Sequence, residues 1–186
     1  MKKAIIIHGW DGYPEEGWFP WLKGELEERG YVVEVPEMPE PGVPTIDAWI
    51  GKVRDVTGEP DGETLLVGHS IGCQAILRFL ESSAGVAHRV ILVAPWMHLD
   101  ENTIREEEGV EEIAMPWMET PISWKDVRNK ASGFVAIFSD DDPYVPLTEK
   151  DLFGEKLGAE VAVEHGMGHF SGGDGIRELP VVLEKL

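Results

Sequence analysis

Six short apolar runs rich in β-branched residues, separated by longer amphipathic stretches, restrict what this chain can fold into. They are Ala4–His8, Tyr31–Val35, Thr64–Gly68, Val90–Ala94, Phe134–Phe138 and Glu160–Glu164. They are apolar without strict alternation, as strands buried on both faces are. Helical patterns fill the intervals at Gly17–Arg29, Ile46–Val56, Ser70–Ser82, Leu147–Leu157 and Ile176–Leu186. Leu22, Leu26 and Arg29 share one helical face, as do Ile71, Ala75 and Phe79. Strands alternating with helices require crossover connections and hence parallel pairing. The expected fold is α/β: a doubly wound, mostly parallel six-stranded sheet in the order 2-1-3-4-5-6, with helices on both faces.

One segment departs from this rhythm. Pro95–Lys130 is far longer than an ordinary crossover and carries Trp96, Met97, Met115, Trp117, Met118 and Trp124 beside the acidic run Glu106–Glu108. Such a connection is either a lid over a site or an excursion packed on the sheet edge. At 186 residues the chain is expected to form a single domain, 1–186.

The net charge of −19, from 16 basic against 35 acidic residues, repels phosphate backbones and anionic lipid. Nucleic acid and membrane surfaces are therefore not expected partners. The single cysteine, Cys73, cannot form an intrachain disulfide, and no run approaches the roughly 20 apolar residues of a membrane span. These features point to a cytoplasmic protein; they leave its oligomeric state open.

The chemistry concentrates in Gly68-His69-Ser70-Ile71-Gly72, between a predicted strand and a predicted helix. Reversing direction that sharply strains the central residue, and small neighbours two positions away avoid a clash. The turn presents the Ser70 hydroxyl at a helix N-terminus, where developing negative charge is favoured. A bland alternative is a serine N-cap between turn glycines. A serine nucleophile needs a base, and on this fold the order is Ser, Asp or Glu, then His. His169, in Gly166-Met167-Gly168-His169-Phe170 after the last strand, meets that order. His165 belongs to the strand end, and the intervening glycines argue against a helical metal pair. His8 and His69 read as structural, with ring nitrogens bonded to nearby backbone; His88 and His98 read as surface residues. No metal or other cofactor is expected.

The orienting carboxylate must follow the strand Phe134–Phe138, where Asp140, Asp141 and Asp142 stand together. Asp142 is favoured because Pro143 fixes the turn and Val145 packs back; Asp141 is the alternative. The backbone N–H of Ile71 supplies one oxyanion donor, and that of Trp10, after the first strand, supplies the second. Trp10, Tyr13, Trp96, Met97, Trp117 and Phe170 are candidates for the pocket wall. Cys73, one turn into the nucleophile's helix, reads as a buried small hydrophobe.

With these segments in place the chain resembles the α/β-hydrolase superfamily, and within it the small serine hydrolases of the YdeN and retinoblastoma-binding type. The matching segments are His8-Gly9-Trp10, Trp18-Phe19-Pro20-Trp21-Leu22, Gly68-His69-Ser70-Ile71-Gly72, Asp141-Asp142-Pro143 and Gly168-His169-Phe170. The resemblance spans essentially the whole chain and implies a minimal fold without a large cap domain and a Ser70–Asp142–His169 triad. The acidic stretch Glu101–Glu112 is a departure from it. The expected activity is hydrolysis of a small or medium carboxylic ester, or a thioester or amide, through an acyl-enzyme. A catalytically weak scaffold that binds protein partners, and an acyltransferase using the same triad, are the alternative readings.

Overall fold

Successive side chains of a strand face opposite ways, and in the four central runs both directions are buried. The runs expected to be buried at Tyr31–Val35 and Glu160–Glu164 instead form edge strands that stay partly exposed, because each has a neighbour on one side only. In the computed structural model, which describes residues 1–106 and 109–186, the runs form β1 (Lys3–Ile7), β2 (Val32–Glu34), β3 (Thr64–His69), β4 (Arg89–Val93), β5 (Phe134–Ser139) and β6 (Glu160–Glu164). Every pairing is parallel, in the order β2-β1-β3-β4-β5-β6. Ile5, Ile7, Leu66, Val90, Leu92, Ala136 and Phe138 point to one face, whereas Ala4, Ile6, Val67, Ile91, Val93, Val135 and Ile137 point to the other.

Each face carries its own helices. The first is covered by α2 (Ile46–Thr57), α3 (Ile71–Ser82), α6 (Trp124–Arg128) and α7 (Glu149–Leu157), through Trp49, Val53, Phe79, Val127 and Phe153. The second is covered by α1 (Phe19–Glu28) and α8 (Pro180–Glu184), through Phe19, Leu22, Leu26, Val181 and Val182. The last helix is shorter than the expected Ile176–Leu186. It begins at Pro180, whose fixed φ and missing N–H suit a first helical turn.

The long connection contains α4 (Glu101–Glu106) and α5 (Val110–Glu119) before α6. Glu107 and Glu108 of the acidic run lie outside the described residues. Helix α5 is tied to α3: buried Arg78 donates to the carbonyls of Trp117 and Thr120 at 2.8 Å each. A cation at a helix C-terminus satisfies carbonyls the helix leaves open. Trp117 itself is fully buried and donates to the Pro44 carbonyl at 3.0 Å.

Candidate active site

Helix α3 begins directly after β3, and the reversal falls on Ser70, with φ +54° and ψ −125°. A left-handed serine costs on the order of 1–3 kcal/mol and persists only where its surroundings enforce it. Here they do. The Ser70 N–H donates to the Val93 carbonyl of neighbouring β4 at 2.9 Å. Gly68 and Gly72 leave room that no larger residue could: a Cβ on Gly68 would lie 2.9 Å from Cys73 Cα, and one on Gly72 would lie 2.5 Å from the His8 carbonyl. Ile71 opens α3, where the first amides have no intrahelical acceptor. Gly9, beside Trp10, is packed so closely that its Cβ would lie 3.2 Å from Ser70 Cβ.

His169 is held by a loop whose polar groups meet a sequence of partners. Gly166 N–H donates to Asp140 Oδ1, Met167 N–H to Ser139 Oγ, and Gly168 N–H to Asp141 Oδ1, at 3.0, 3.0 and 2.8 Å. His169 N–H and Ser171 N–H both donate to Asp174 Oδ2, at 3.0 and 2.9 Å. The His169 ring then meets Asp142: Nδ1 lies 2.8 Å from Oδ2, with the aspartate side chain 2% exposed. Because a carboxylate oxygen accepts, the proton of the neutral ring sits on Nδ1 and the Nε2 lone pair is left available. The other oxygen of Asp142 accepts from the Tyr144 and Val145 N–H groups at 2.9 and 3.0 Å. Each of the three adjacent aspartates thus has its own contact, and the one on the His169 ring is Asp142.

Asp174 was not singled out from the sequence. The Ser171-Gly172-Gly173-Asp174 spacing is its signal, since Ser171 and Asp174 bond each other as short polar side chains do in turns. Burial pushes the Asp174 carboxyl up, but hydrogen bonds from Ser171 and His169 outweigh it and hold the group below its usual range. His165 faces solvent and pairs with Asp140 at 2.6 Å, which raises the pKa of the imidazole.

His69 reaches much farther than nearby backbone. Its Nε2–H donates to the carbonyl of His169, 100 residues away, at 2.7 Å. Burial above all, then the neighbouring His169, lowers its pKa to about 3. The unfolded chain therefore takes up a proton near pH 6.5 that the folded chain refuses until about pH 3. The resulting stability is complete above pH 6.5 and declines as pH falls toward 3. His69→Gln should accordingly narrow the difference in unfolding free energy between pH 7 and pH 4 by about 3 kcal/mol relative to wild type. Urea titrations at the two pH values measure it, and an unchanged difference would contradict a neutral, buried His69.

Ser70, His69 and His169 border a cavity of ≈ 460 Å³. Of the residues expected in its wall, Trp10 and Trp96 are there. Four are elsewhere. Trp117 and Phe170 are fully buried and Met97 is 6% exposed, each taken into the core, whereas Tyr13 is 53% exposed. The cavity is walled instead by Leu99, Thr103, Val110 and Ile113 from the long connection and by Tyr144. The Tyr144 ring stands edge-on to His169, centroids 5.0 Å apart.

The family model for serine hydrolases matches residues 4–186. The chain belongs to that family. This serine hydrolase is 31% identical to YdeN of Bacillus subtilis over 100% of its own length and 94% of the relative's. The YdeN crystal structure superposes with a TM-score of 0.89, at 27% identity, over 100% of this chain and 96% of that one. Serine hydrolase RBBP9 of Rattus norvegicus is 26% identical, covering 90% of this chain and 87% of its own. Est1E from Butyrivibrio proteoclasticus shares the fold, with a TM-score of 0.69 at 16% identity over 91% of this chain and 80% of its own. Among the described residues no helix is long and apolar enough to cross a membrane.

Proposed function

We propose that this serine hydrolase cleaves small or medium carboxylic esters through a Ser70–His169–Asp142 triad and an acyl-enzyme. The observation that carries the proposal is the Asp142–His169 contact of 2.8 Å beside a cavity that Ser70 also borders. His169 Nε2 takes the Ser70 proton as Oγ attacks the carbonyl carbon, and the Ile71 and Trp10 N–H groups receive the oxyanion. His169 then protonates the leaving alkoxide. Water, deprotonated by the same nitrogen, releases the acid and restores Ser70. Four apolar side chains, Trp96, Leu99, Val110 and Ile113, in the wall favour acyl or alcohol groups of modest size. The lone, buried Cys73 suits a reducing compartment such as the cytoplasm.

A fluorophosphonate probe tests the assignment. Wild type should be labelled, whereas Ser70→Ala should not, and His169→Ala should react far more slowly. Equal labelling of Ser70→Ala would remove Ser70 from the role.

A further inference from the structure

Two strained turns stand side by side at the carboxyl edge of the sheet. Ser70, after β3, has φ +54°, and Ala94, after neighbouring β4, has φ +48°. The Ser70 N–H bond to Val93 ties the strand ends together, and Ala94 N–H donates to the Ile137 carbonyl of β5 at 2.8 Å. Two residues beyond Ala94, the Trp96 indole is 1% exposed and its Nε1–H donates to Ser70 Oγ at 3.3 Å. The chain just beyond Trp96 is pinned as well: buried Glu149 accepts from the N–H groups of Met97 and His98.

We propose that Trp96 is a catalytic residue whose indole N–H stabilises negative charge on Ser70 Oγ. This rests on Ser70 being the nucleophile. A wall residue needs only an aromatic face, but an indole N–H is donor only and needs an acceptor when buried. Here that acceptor is the reacting atom itself. In acylation the Ser70 proton passes to His169, the Oγ–C bond forms, and the carbonyl π pair moves to oxygen. In deacylation water gives a proton to His169 and bonds to the acyl carbon. The Oγ–C bond then breaks with its electron pair returning to Oγ, and His169 passes that proton on to Oγ. Oγ carries partial negative charge in both transition states, and the Trp96 N–H is aimed at it in both. With the N–H on one lone pair, the Ser70 proton is directed toward another acceptor, which in this mechanism is His169 Nε2.

Removing a donor to a charged acceptor should slow each step roughly ten- to a hundredfold. The test compares wild type with Trp96→Phe and with benzothienylalanine at position 96, which keeps the indole's shape but has sulfur in place of N–H. Stopped-flow hydrolysis of p-nitrophenyl acetate reads acylation in the burst and deacylation in the steady state. Both should fall in both variants while thermal melting of the isostere stays near wild type. Wild-type rates in both variants, with Ser70 labelled normally by fluorophosphonate, would overturn the Trp96 assignment alone. A burst that survives Ser70→Ala would overturn the nucleophile reading and this one with it. An activity-independent check is the ¹⁵N–¹H resonance of the Trp96 indole, which should move on Ser70→Ala; an unmoved resonance would overturn the hydrogen bond.

Discussion

Asp142→Asn should lower kcat/KM for p-nitrophenyl acetate by roughly 10⁴-fold, the effect of reversing the tautomer of a catalytic histidine. The reason lies in which way the new amide must face. Asp142 Oδ1 accepts two backbone N–H groups, from Tyr144 and Val145. The asparagine carbonyl oxygen has to take that position, because an NH₂ group there would oppose two donors. Its NH₂ then faces His169 and donates to Nδ1. The ring proton shifts to Nε2, and the lone pair that would receive the Ser70 proton is gone. At the neighbouring positions asparagine keeps an oxygen for the acceptor role: toward Gly168 N–H at 141 and toward Gly166 N–H at 140. Asp140→Asn should barely change turnover, and Asp141→Asn should cost far less than Asp142→Asn. A collapse of activity in Asp141→Asn, with Asp142→Asn spared, would reject the assignment of the orienting carboxylate.

Gly72→Ala should destabilise the protein by about 3 kcal/mol or more, toward and beyond the upper end of ordinary overpacking. The added methyl would lie 2.5 Å from the His8 carbonyl oxygen and 2.7 Å from that of Ile7. Both are backbone atoms at the end of β1, so no side chain can rotate aside. Strand β1 and helix α3 would have to separate, displacing Trp10 from Ser70. A domain of this size should lose roughly 6–12 °C in Tm. Gly24→Ala and Gly51→Ala provide the contrast. These glycines lie within α1 and α2 with open space around the missing Cβ, and alanine should stabilise there by about 0.5–1 kcal/mol. Thermal melts of the three variants measure the difference, and a Gly72→Ala melt equal to wild type would refute the steric account.

The parallel sheet was legible in the sequence because burial on both faces removes alternation in central runs such as Ala4–His8 and Phe134–Phe138, and the helical stretches between them require crossovers. The ends of elements were less so. The last helix starts at Pro180 because a stretch carrying Gly166, Gly168, Gly172, Gly173 and Gly175 first has to complete the His169 loop. The convergence of Ser70, Asp142 and His169 beside one cavity could be anticipated because strand order dictates which loops meet at one edge of a sheet. The cavity wall could not. Large aromatics such as Trp117 and Phe170 were expected there for their size, yet size also favours full burial, and tertiary packing drew them inward. Leu99, Val110 and Ile113 line the cavity instead. Their place depends on how α4 and α5 settle, which local periodicity does not encode. His69 illustrates the same gap: a structural histidine was readable, but not a partner 100 residues away.

Hydrogen bonds tie residues 165–171 to the end of β5 and the turn after it, to Asp174 and Ile176, to His69 and to Trp18. Facing these residues, α5 is anchored through Arg78 and Pro44, whereas α4 is tied to the turn that carries Asp142, since Thr103 Oγ1–H donates to the Pro143 carbonyl at 3.1 Å. The α5 part of the wall therefore answers to a different stretch of the polypeptide from the imidazole, and the α4 part shares a turn with it. A lineage can remodel Val110 and Ile113 to admit new molecules at less cost to the tuning of the imidazole than changes around Thr103 would bring.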